Sequence, residues 1–411
     1  MKISYNKQVL LGALAGLVLG VLLNRFGADY TIAGPVLTAC HIIGKIFINL
    51  LKMILIPLVF TSITIGIANL RQHAQMGRVW KISLLYFVST TALAVLLGIV
   101  VVNVFQPGAD METGVFQQGA ANLGVTSMTM GAFVASFVSG LFMNPVTAMA
   151  EGNILPTIIF AIFLGIALVV TGERSRNVLD FFNELFALIM LMVKWIMVVL
   201  PIGLMALLAS LIASQDLNIL LSLGKFMLVV IGATLFHGFV TLPIVLMIFG
   251  KIHPNTFFAG IGDALVTAFS TSSSSATLPV TMRCVEDNLK VDKDVAGFVL
   301  PLGATINMDG TALYEAVAAL FVANLVGVEL TLGQQVVVFF TAIVAAIGAP
   351  GIPSAGMVTM IMVLQSVGLP IEAISILLPI DRLLDATRTM VNVEGDAIGS
   401  CVVNRFTSNK S

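Results

Sequence analysis

The chain has 411 residues, of which 58% are hydrophobic and 10% are charged, and its formal net charge is −1. Soluble proteins carry roughly 25% charged residues. This composition therefore excludes a soluble globular protein, and the mean hydropathy of +1.05 predicts that lipid surrounds most of the chain. The near-zero charge without a basic tract excludes nucleic acid as a partner. The three cysteines are widely separated and form neither a disulfide framework nor a zinc-binding pattern.

Eight apolar runs approach or exceed the length of about 20 residues that a membrane-spanning helix needs. They lie near residues 8–25, 36–69, 82–106, 152–171, 178–213, 219–249, 294–325 and 370–402. The first run follows two lysines, as in a signal peptide, but no convincing cleavage site comes after it, so we interpret it as the first helix. The pattern predicts an all-α polytopic membrane protein with eight transmembrane helices.

The charges in the predicted loops indicate the orientation. Lys2 and Lys7 precede the first span, and the loops at 71–81 and 172–176 are basic. The loop at 107–150 carries two acidic residues and no Lys or Arg. The positive-inside rule then predicts a multi-pass protein of the cell membrane (an inner or plasma membrane) with both termini in the cytoplasm.

Two further apolar stretches, 259–284 and 332–368, are interrupted near their centres. The serines at 272–275, with Pro279 after them, break the first stretch, and GAPGIPSAG at 348–356 breaks the second. Neither half can cross the bilayer alone, so we predict two re-entrant helical hairpins in opposed orientations. Such pairs indicate inverted repeats around a site at the membrane midplane. The alternative is two kinked full spans, which would spoil the charge bias of the loops.

The last span carries a polar face. On a helix that turns about 100° per residue, one face holds six polar residues, namely Asp381, Asp385, Arg388, Thr389, Asn392 and Asp396. Glu394 lies almost opposite. A charge at the bilayer centre costs at least ~2.5–3.5 kcal/mol, so this face indicates a functional site. The alternative is an ion-pair cluster that only locks helices together, which would leave Asp381 and Asp396 without partners in the span.

The seventh span contains a second polar cluster, GATINMDGTALYE at 303–315. Glycine, asparagine, aspartate and threonine favour helix poorly, so we predict a local unwinding that frees carbonyl oxygens. Carbonyl, Asp and Asn oxygens are suitable ligands for a hard cation. The amino-terminal ends of the half-helices at the hairpin tips attract carboxylates. Together with Arg388 and Asp385, these groups predict an acidic amino acid that is bound together with metal ions.

Five segments in this order resemble the dicarboxylate/amino acid:cation symporters, the glutamate transporter family. The segments are 49–70, 272–282, 307–314, 351–356 and 383–396. The resemblance extends over essentially the whole chain. It implies a homotrimer in the lipid bilayer that takes up L-aspartate or L-glutamate together with two or three sodium ions, by an elevator-type alternating-access mechanism.

The resemblance also implies roles for individual residues. Arg388 would bind the side-chain carboxylate of the substrate and Asp385 its ammonium, and the other substrate-binding residues would be Ser273, Ser274, Ser275, Thr311, Ile352, Pro353, Gly356, Thr389 and Asn392. The sodium ligands fall into three groups. These are Asp396 with Gly303, Asn307 and Asn392; Thr305 with Ala346, Ile347 and Ala349; and Asn307 and Asp309 with Thr90 and Thr91.

The family's division into domains implies a scaffold (trimerisation) domain and a transport domain. The scaffold would comprise 1–78 and 111–218, the latter including the extracellular loop, and the transport domain would comprise 79–110 and 219–411. Within 219–411 we expect a hairpin at 256–287, an unwound seventh helix at 294–325, a hairpin at 332–368 and an eighth helix at 370–405.

The sequence departs from the family pattern at a few positions. Members usually carry a second arginine where Ser272 or Ala386 stands here, and Arg382, at the edge of the polar face, is a candidate substitute. Phe87 occupies the position of a tyrosine often found near the third sodium site, which predicts a weaker site.

Alternatives within the family are a proton-coupled symporter and a C4-dicarboxylate symporter. Asp396 favours sodium over protons, Asp385 favours an amino acid over a dicarboxylate, and Arg388 favours an acidic over a neutral amino acid. Outside the family, an intramembrane enzyme is disfavoured because GxGD, GxSxG and the P-loop motif are absent and the four histidines are scattered. A channel is disfavoured because TVGYG is absent.

Overall fold

The computed structural model describes residues 5–26, 33–68, 77–109, 139–140, 142–214, 218–349, 351 and 354–407. Throughout these residues the regular secondary structure is helical, and strands are absent from them. The predicted all-α class is therefore confirmed for the part of the chain that the structure describes.

The described residues of the first half of the chain form six helices. They are α1 (Tyr5–Phe26), α2 (Ala33–Ala68), α3 (Gly77–Phe105), α4 (Pro145–Glu151), α5 (Ile154–Thr171) and α6 (Arg176–Ser214). Local sequence sets the ends of the short α4, since the Asn144 side chain accepts hydrogen bonds from two backbone N–H groups and Gly152 follows in the left-handed conformation at φ 74°.

The second half begins with α7 (Asn218–Phe236), which continues as one helical run through the π turns His237–Thr241 and Leu246–Gly250. The remaining helices are α8 (Pro254–Thr271), α9 (Ser274–Arg283), α10 (Lys293–Ile306), α11 (Asp309–Leu325), α12 (Leu332–Gly348), α13 (Ala355–Ser366) and α14 (Ile374–Thr407). Helix α14 packs against α7, α8, α10 and α11, so its polar face is enclosed by neighbouring helices.

Among the residues that the structure describes, five helical stretches have the length and apolar composition to cross a membrane. They are Lys7–Arg25, Ala33–Ala68, Arg78–Phe105, Pro156–Ser210 and Ser222–Gly250. They correspond to the first six predicted spans, because Pro156–Ser210 holds two of them on either side of a 3-10 turn. The seventh predicted span is divided and the eighth is rich in charges. Several apolar membrane helices are therefore present, and the count of eight stays a prediction.

Three interruptions position the polar residues. Helix α8 ends at Ser272, whose φ of 49° is left-handed, and Ser273 then caps α9. Helix α13 begins after Ser354, whose φ is 58°. Between α10 and α11, Asn307 and Met308 leave the helical conformation, within the segment 303–315 for which we predicted unwinding. These breaks release backbone N–H and carbonyl groups from helical hydrogen bonding.

Candidate functional site

The centre of the site is Arg388, whose side chain is fully buried. Its Nη2 donates to Asp381 Oδ1 at 2.7 Å and to Asp385 Oδ1 at 3.0 Å. Its guanidinium carbon lies 3.9 Å from the ring centroid of Tyr314 on α11, which adds a cation–π contact. A buried guanidinium needs such compensation, because an unpaired buried charge is strongly destabilising.

Two donors of this guanidinium remain unused. Arg388 Nε and Nη1 are buried and have no hydrogen-bond partner among the residues that the structure describes. The backbone of Gly356 lies beside them, since a Cβ added to this glycine would stand 3.5 Å from Nη1. Unpaired buried donors are costly. Nε–H and Nη1–H point to different edges of the guanidinium, so each can donate to a separate acceptor, such as an oxygen of a bound carboxylate.

The structure corrects one step of the sequence argument. Asp381 does have a partner in its own span, because the long Arg388 side chain reaches back about two turns of α14 to it. The partner of Asp396 comes from outside the span, since Asn307 Nδ2 donates to its Oδ1 at 3.0 Å. The ion-pair alternative thus accounts for Asp381, but it leaves the two unused donors of Arg388 unexplained.

Asp385 connects α14 to the break before α13. Its Oδ2 accepts the Ser354 N–H at 2.9 Å and lies 3.5 Å from Arg382 Nη1. Ile352 and Pro353, which we predicted to bind substrate, lie outside the described residues. Because the Ser354 N–H donates to this carboxylate, the amino-terminal end of α13 lies against the polar face of α14.

The two interrupted helix pairs meet at their tips. Ser275 N donates to Gly351 O at 3.2 Å, and Ser273 Oγ donates to the same oxygen at 2.6 Å. A Cβ on Gly351 would lie 2.5 Å from Ser275 Oγ, so only glycine permits this approach. Ser273 and Ser274 are buried here. The structure therefore brings both predicted serine and glycine segments to one place.

Asn392 joins α14 to the start of α11. Its Oδ1 accepts the Gly310 N–H at 2.8 Å, and its Nδ2 donates to Thr311 Oγ1 at 3.3 Å. Thr389 is buried on the same helix. The break before α11 is thus held against the polar face by a predicted residue.

A second polar group surrounds Asp309, which is fully buried. Thr91 Oγ1 donates to Asp309 Oδ1 at 2.7 Å, and Thr90 Oγ1 lies 3.4 Å from the same oxygen. Thr90 Oγ1 also lies 3.5 Å from Asn307 Oδ1. These contacts bring four predicted sodium ligands together, and Asn307 links them to Asp396. Gly303 also faces Asp396, because a Cβ there would collide with its carboxylate.

The remaining predicted sodium ligands form fewer contacts with one another. Thr305 is exposed, and its hydroxyl bonds to carbonyls of its own helix, at 2.7 Å for Leu302 O. Helix α10 contacts α12, which carries the buried Ala346 and precedes the buried Ala349, whereas Ile347 is half-buried. Within the described ranges, no three His, Cys, Asp or Glu side chains form a group that could hold a metal ion. A cation here would depend on carbonyl, hydroxyl and amide oxygens as well.

Sequence reasoning missed several buried polar residues. His237, the first residue of the π turn that follows α7, is fully buried, and its Nε2 lies 3.2 Å from Asp309 Oδ2. The four histidines are scattered along the sequence, but a histidine inside an apolar span is itself a signal. Glu315, also fully buried, accepts a hydrogen bond from Thr359 of α13. The hydroxyl of Tyr86, next to Phe87, donates to Gly395 O at 3.0 Å.

Glu394 lies away from the polar face, but it is not exposed. Its side chain is buried against the backbone of Gly238, where an added Cβ would stand 3.0 Å from its Oε2. Both faces of α14 are enclosed at this level, because the π turn His237–Thr241 covers the side on which Glu394 lies.

Comparison with known proteins agrees with this geometry. The model of the sodium:dicarboxylate symporter family matches residues 6–406. Excitatory amino acid transporter 3 of Mus musculus is 36% identical, over 98% of this chain and 86% of its own length. The putative sodium-dependent excitatory amino acid transporter glt-4 of Caenorhabditis elegans is 34% identical over 98% and 91%. Excitatory amino acid transporter 2 of Homo sapiens is 38% identical over 88% and 72%.

The family and these relatives are transporters, which confirms the prediction that the chain is not an enzyme. The family match covers the five motif segments and nearly all of the helices around them. The chain therefore belongs to the sodium:dicarboxylate symporter family.

Proposed function

We propose that the chain is a secondary active symporter that takes up L-aspartate or L-glutamate together with sodium ions. The observation that carries this proposal is the pair of unused, buried donors on Arg388. Either donor suits a carboxylate oxygen of the substrate, and Asp385, which pairs with the same guanidinium, suits the ammonium. A zwitterion with a second carboxylate matches this arrangement of charges.

The proposed sodium ligands follow from the second polar group. Asp309 and Asp396 supply negative charge, and Thr90, Thr91 and Asn307 supply neutral oxygens within hydrogen-bond range of them. Hard cations prefer such oxygen ligands. Asn392 contacts both Gly310 and Thr311, so occupancy of the cation ligands and of the substrate pocket would be coupled through the break before α11.

The proposed movement is of the elevator type, with both interrupted helix pairs as re-entrant hairpins. The pair α12–α13 would be the extracellular gate, because Ser354 at its tip contacts Asp385 and would move away to admit substrate. The transport domain would comprise 79–110 and 219–411, and 1–78 with 111–218 would form the scaffold of a homotrimer with cytoplasmic termini.

A C4-dicarboxylate is the second candidate substrate, because the Arg388 donors suit any carboxylate and the family's description names dicarboxylates. Asp385 disfavours it, since a buried carboxylate near the pocket repels a substrate that lacks an ammonium. Competition experiments separate the two candidates.

The test is uptake of labelled L-aspartate by proteoliposomes under an imposed sodium gradient, with unlabelled amino acids and succinate as competitors. We expect saturable uptake that acidic amino acids inhibit and that disappears without sodium. Equal uptake on a proton gradient without sodium would exclude sodium coupling. The absence of exchange between labelled and unlabelled substrate would indicate a channel.

A further inference from the structure

Arg382 approaches the same carboxylate as Arg388 from a different depth. Its Nη1 lies 3.5 Å from Asp385 Oδ2, and its side chain is 17% exposed, whereas that of Arg388 is 0% exposed. The two arginines are six positions apart on α14, with Asp385 between them. Arg382 is thus the less buried of the two arginines that contact Asp385.

In this structure both oxygens of Asp385 are already in use. Oδ1 accepts from Arg388, and Oδ2 accepts the Ser354 N–H and faces Arg382. These contacts occupy three of the roughly four lone-pair sites of the carboxylate, so an ammonium bound to Asp385 would lie close to two guanidinium groups. The contact with Arg382 is the longest of the three and lies at the limit of hydrogen bonding. Arg382 is also less buried than Arg388, so its ion pair with Asp385 is the less enclosed of the two.

The charges support the same conclusion. Asp381 and Asp385 carry two negative charges, and Arg382 and Arg388 carry two positive charges, so the four side chains balance without substrate. A bound ammonium next to Asp385 would neutralise the charge of this carboxylate, as Arg382 does when no ammonium is bound. Two cations on one oxygen would repel each other.

We propose that Arg382 is a positioning residue that competes with the substrate's ammonium for Asp385. It balances Asp385 while the site is empty and turns toward the surface when an amino group arrives. The inference rests on the proposed function, because it takes the substrate to be an acidic amino acid. It implies that Arg382 lowers the affinity for substrates that carry an ammonium relative to analogues that lack one.

The test compares L-aspartate with succinate, its analogue without the amino group, by equilibrium binding and displacement on the full-length protein at saturating sodium. In Arg382→Gln we expect the preference for aspartate over succinate to rise about two- to five-fold, the range of a partly exposed ion pair. Arg382→Lys should stay close to the wild type. Arg283→Gln, which breaks an exposed pair with Asp263 at 3.1 Å, is the matched control and should change nothing.

An unchanged or reduced preference in Arg382→Gln would overturn the inference. Loss of both ligands would overturn it as well, since the arginine would then support binding rather than compete. If succinate displaces aspartate from neither the wild type nor Arg382→Gln, the Kd values of aspartate are compared instead. A lower Kd in Arg382→Gln supports competition, and an equal or higher Kd rejects it. Failure of the wild type to bind aspartate would instead refute the proposed function.

Discussion

The helices α1, α2, α5 and α6 (the N-terminal helices) and the helices α3 and α7–α14 (the α14 assembly) are packed by different chemistry. Helix α1 lies so close to α6 that a Cβ on Gly16 would stand 2.6 Å from Met205 O. The buried Thr61 of α2 bonds back to Pro57 O of its own helix at 2.7 Å. The α14 assembly instead buries an arginine, several carboxylates and a histidine.

The difference shows where a membrane protein can bury charge. An unbroken helix satisfies its own backbone and needs no polar partner. The α14 assembly contains three breaks, and each supplies backbone groups to polar side chains, as Ser354 N does for Asp385 and Gly310 N for Asn392. At these breaks backbone groups help to replace water around Asp385 and Asn392, whereas Glu315 and Glu394 are buried along continuous helices.

One ion pair joins α2 of the N-terminal helices to the α14 assembly. Lys52 Nζ lies 3.1 Å from Glu372 Oε1, and the two side chains are 34% and 62% exposed. Exposed pairs of this kind contribute roughly 0–1 kcal/mol. This ion pair therefore adds little to the packing of α2 against α12 and α13 and of α6 against α14, which also joins the two regions.

Arg388→Cys is the change with the largest expected effect on the α14 assembly. It removes the carboxylate-binding donors and leaves Asp381 and Asp385 without their shared partner, so we expect uptake of acidic amino acids to fall by a factor of about 100 or more, in line with the 3–5 kcal/mol of a broken buried pair. Uptake of labelled L-aspartate by proteoliposomes measures it, with Arg283→Cys as control. Unchanged aspartate uptake would refute the role of Arg388, and a gain of neutral substrates would support it.

Asp396→Asn tests the second polar group. The substitution keeps size but removes a negative charge from the proposed cation ligands, so the sodium concentration for half-maximal aspartate binding should rise roughly ten-fold, as expected for a loss of ~1.4 kcal/mol. Sodium titrations of aspartate binding measure this shift. An unaltered sodium dependence would remove Asp396 from the ligand set.

Gly16→Val tests the N-terminal helices. The added side chain would collide with the α6 backbone, and overpacking of this kind costs roughly 1–3 kcal/mol. Thermal unfolding in detergent should show a lower Tm, while the protein that remains folded should bind aspartate with nearly wild-type affinity. A loss of affinity at unchanged Tm would contradict the separation of the two regions.

Glu394→Gln has the smallest expected effect. Glu394 is buried but lies away from the polar face of α14, so aspartate affinity should change by less than about two-fold, a free-energy change under roughly 0.4 kcal/mol. Equilibrium binding decides this, and a shift as large as that of Asp396→Asn would make Glu394 part of the cation site.

Local pattern made much of the site predictable. The polar face of α14, the break at Asn307 and the interruptions at Ser272 and near Gly351 all follow from composition and helical periodicity. His237 was missed because it is a single polar residue in an apolar run. Glu315 lies within the polar cluster 303–315, but it received no role because its partner Thr359 belongs to another helix. Asp381 was misjudged because a helical wheel shows direction but not the reach of a side chain.

The sequence by itself determined that lipid surrounds most of the chain and that the chain is helical with interrupted helices. It also determined the family. Each depends on composition, period or motif order along one segment. Only the tertiary structure decided which groups share a carboxylate, that Arg388 keeps two donors unused, and that Arg382 and Ser354 occupy Asp385. Those facts depend on distances between helices that are remote in sequence, and pairing within a buried cluster is set by packing rather than by any one segment.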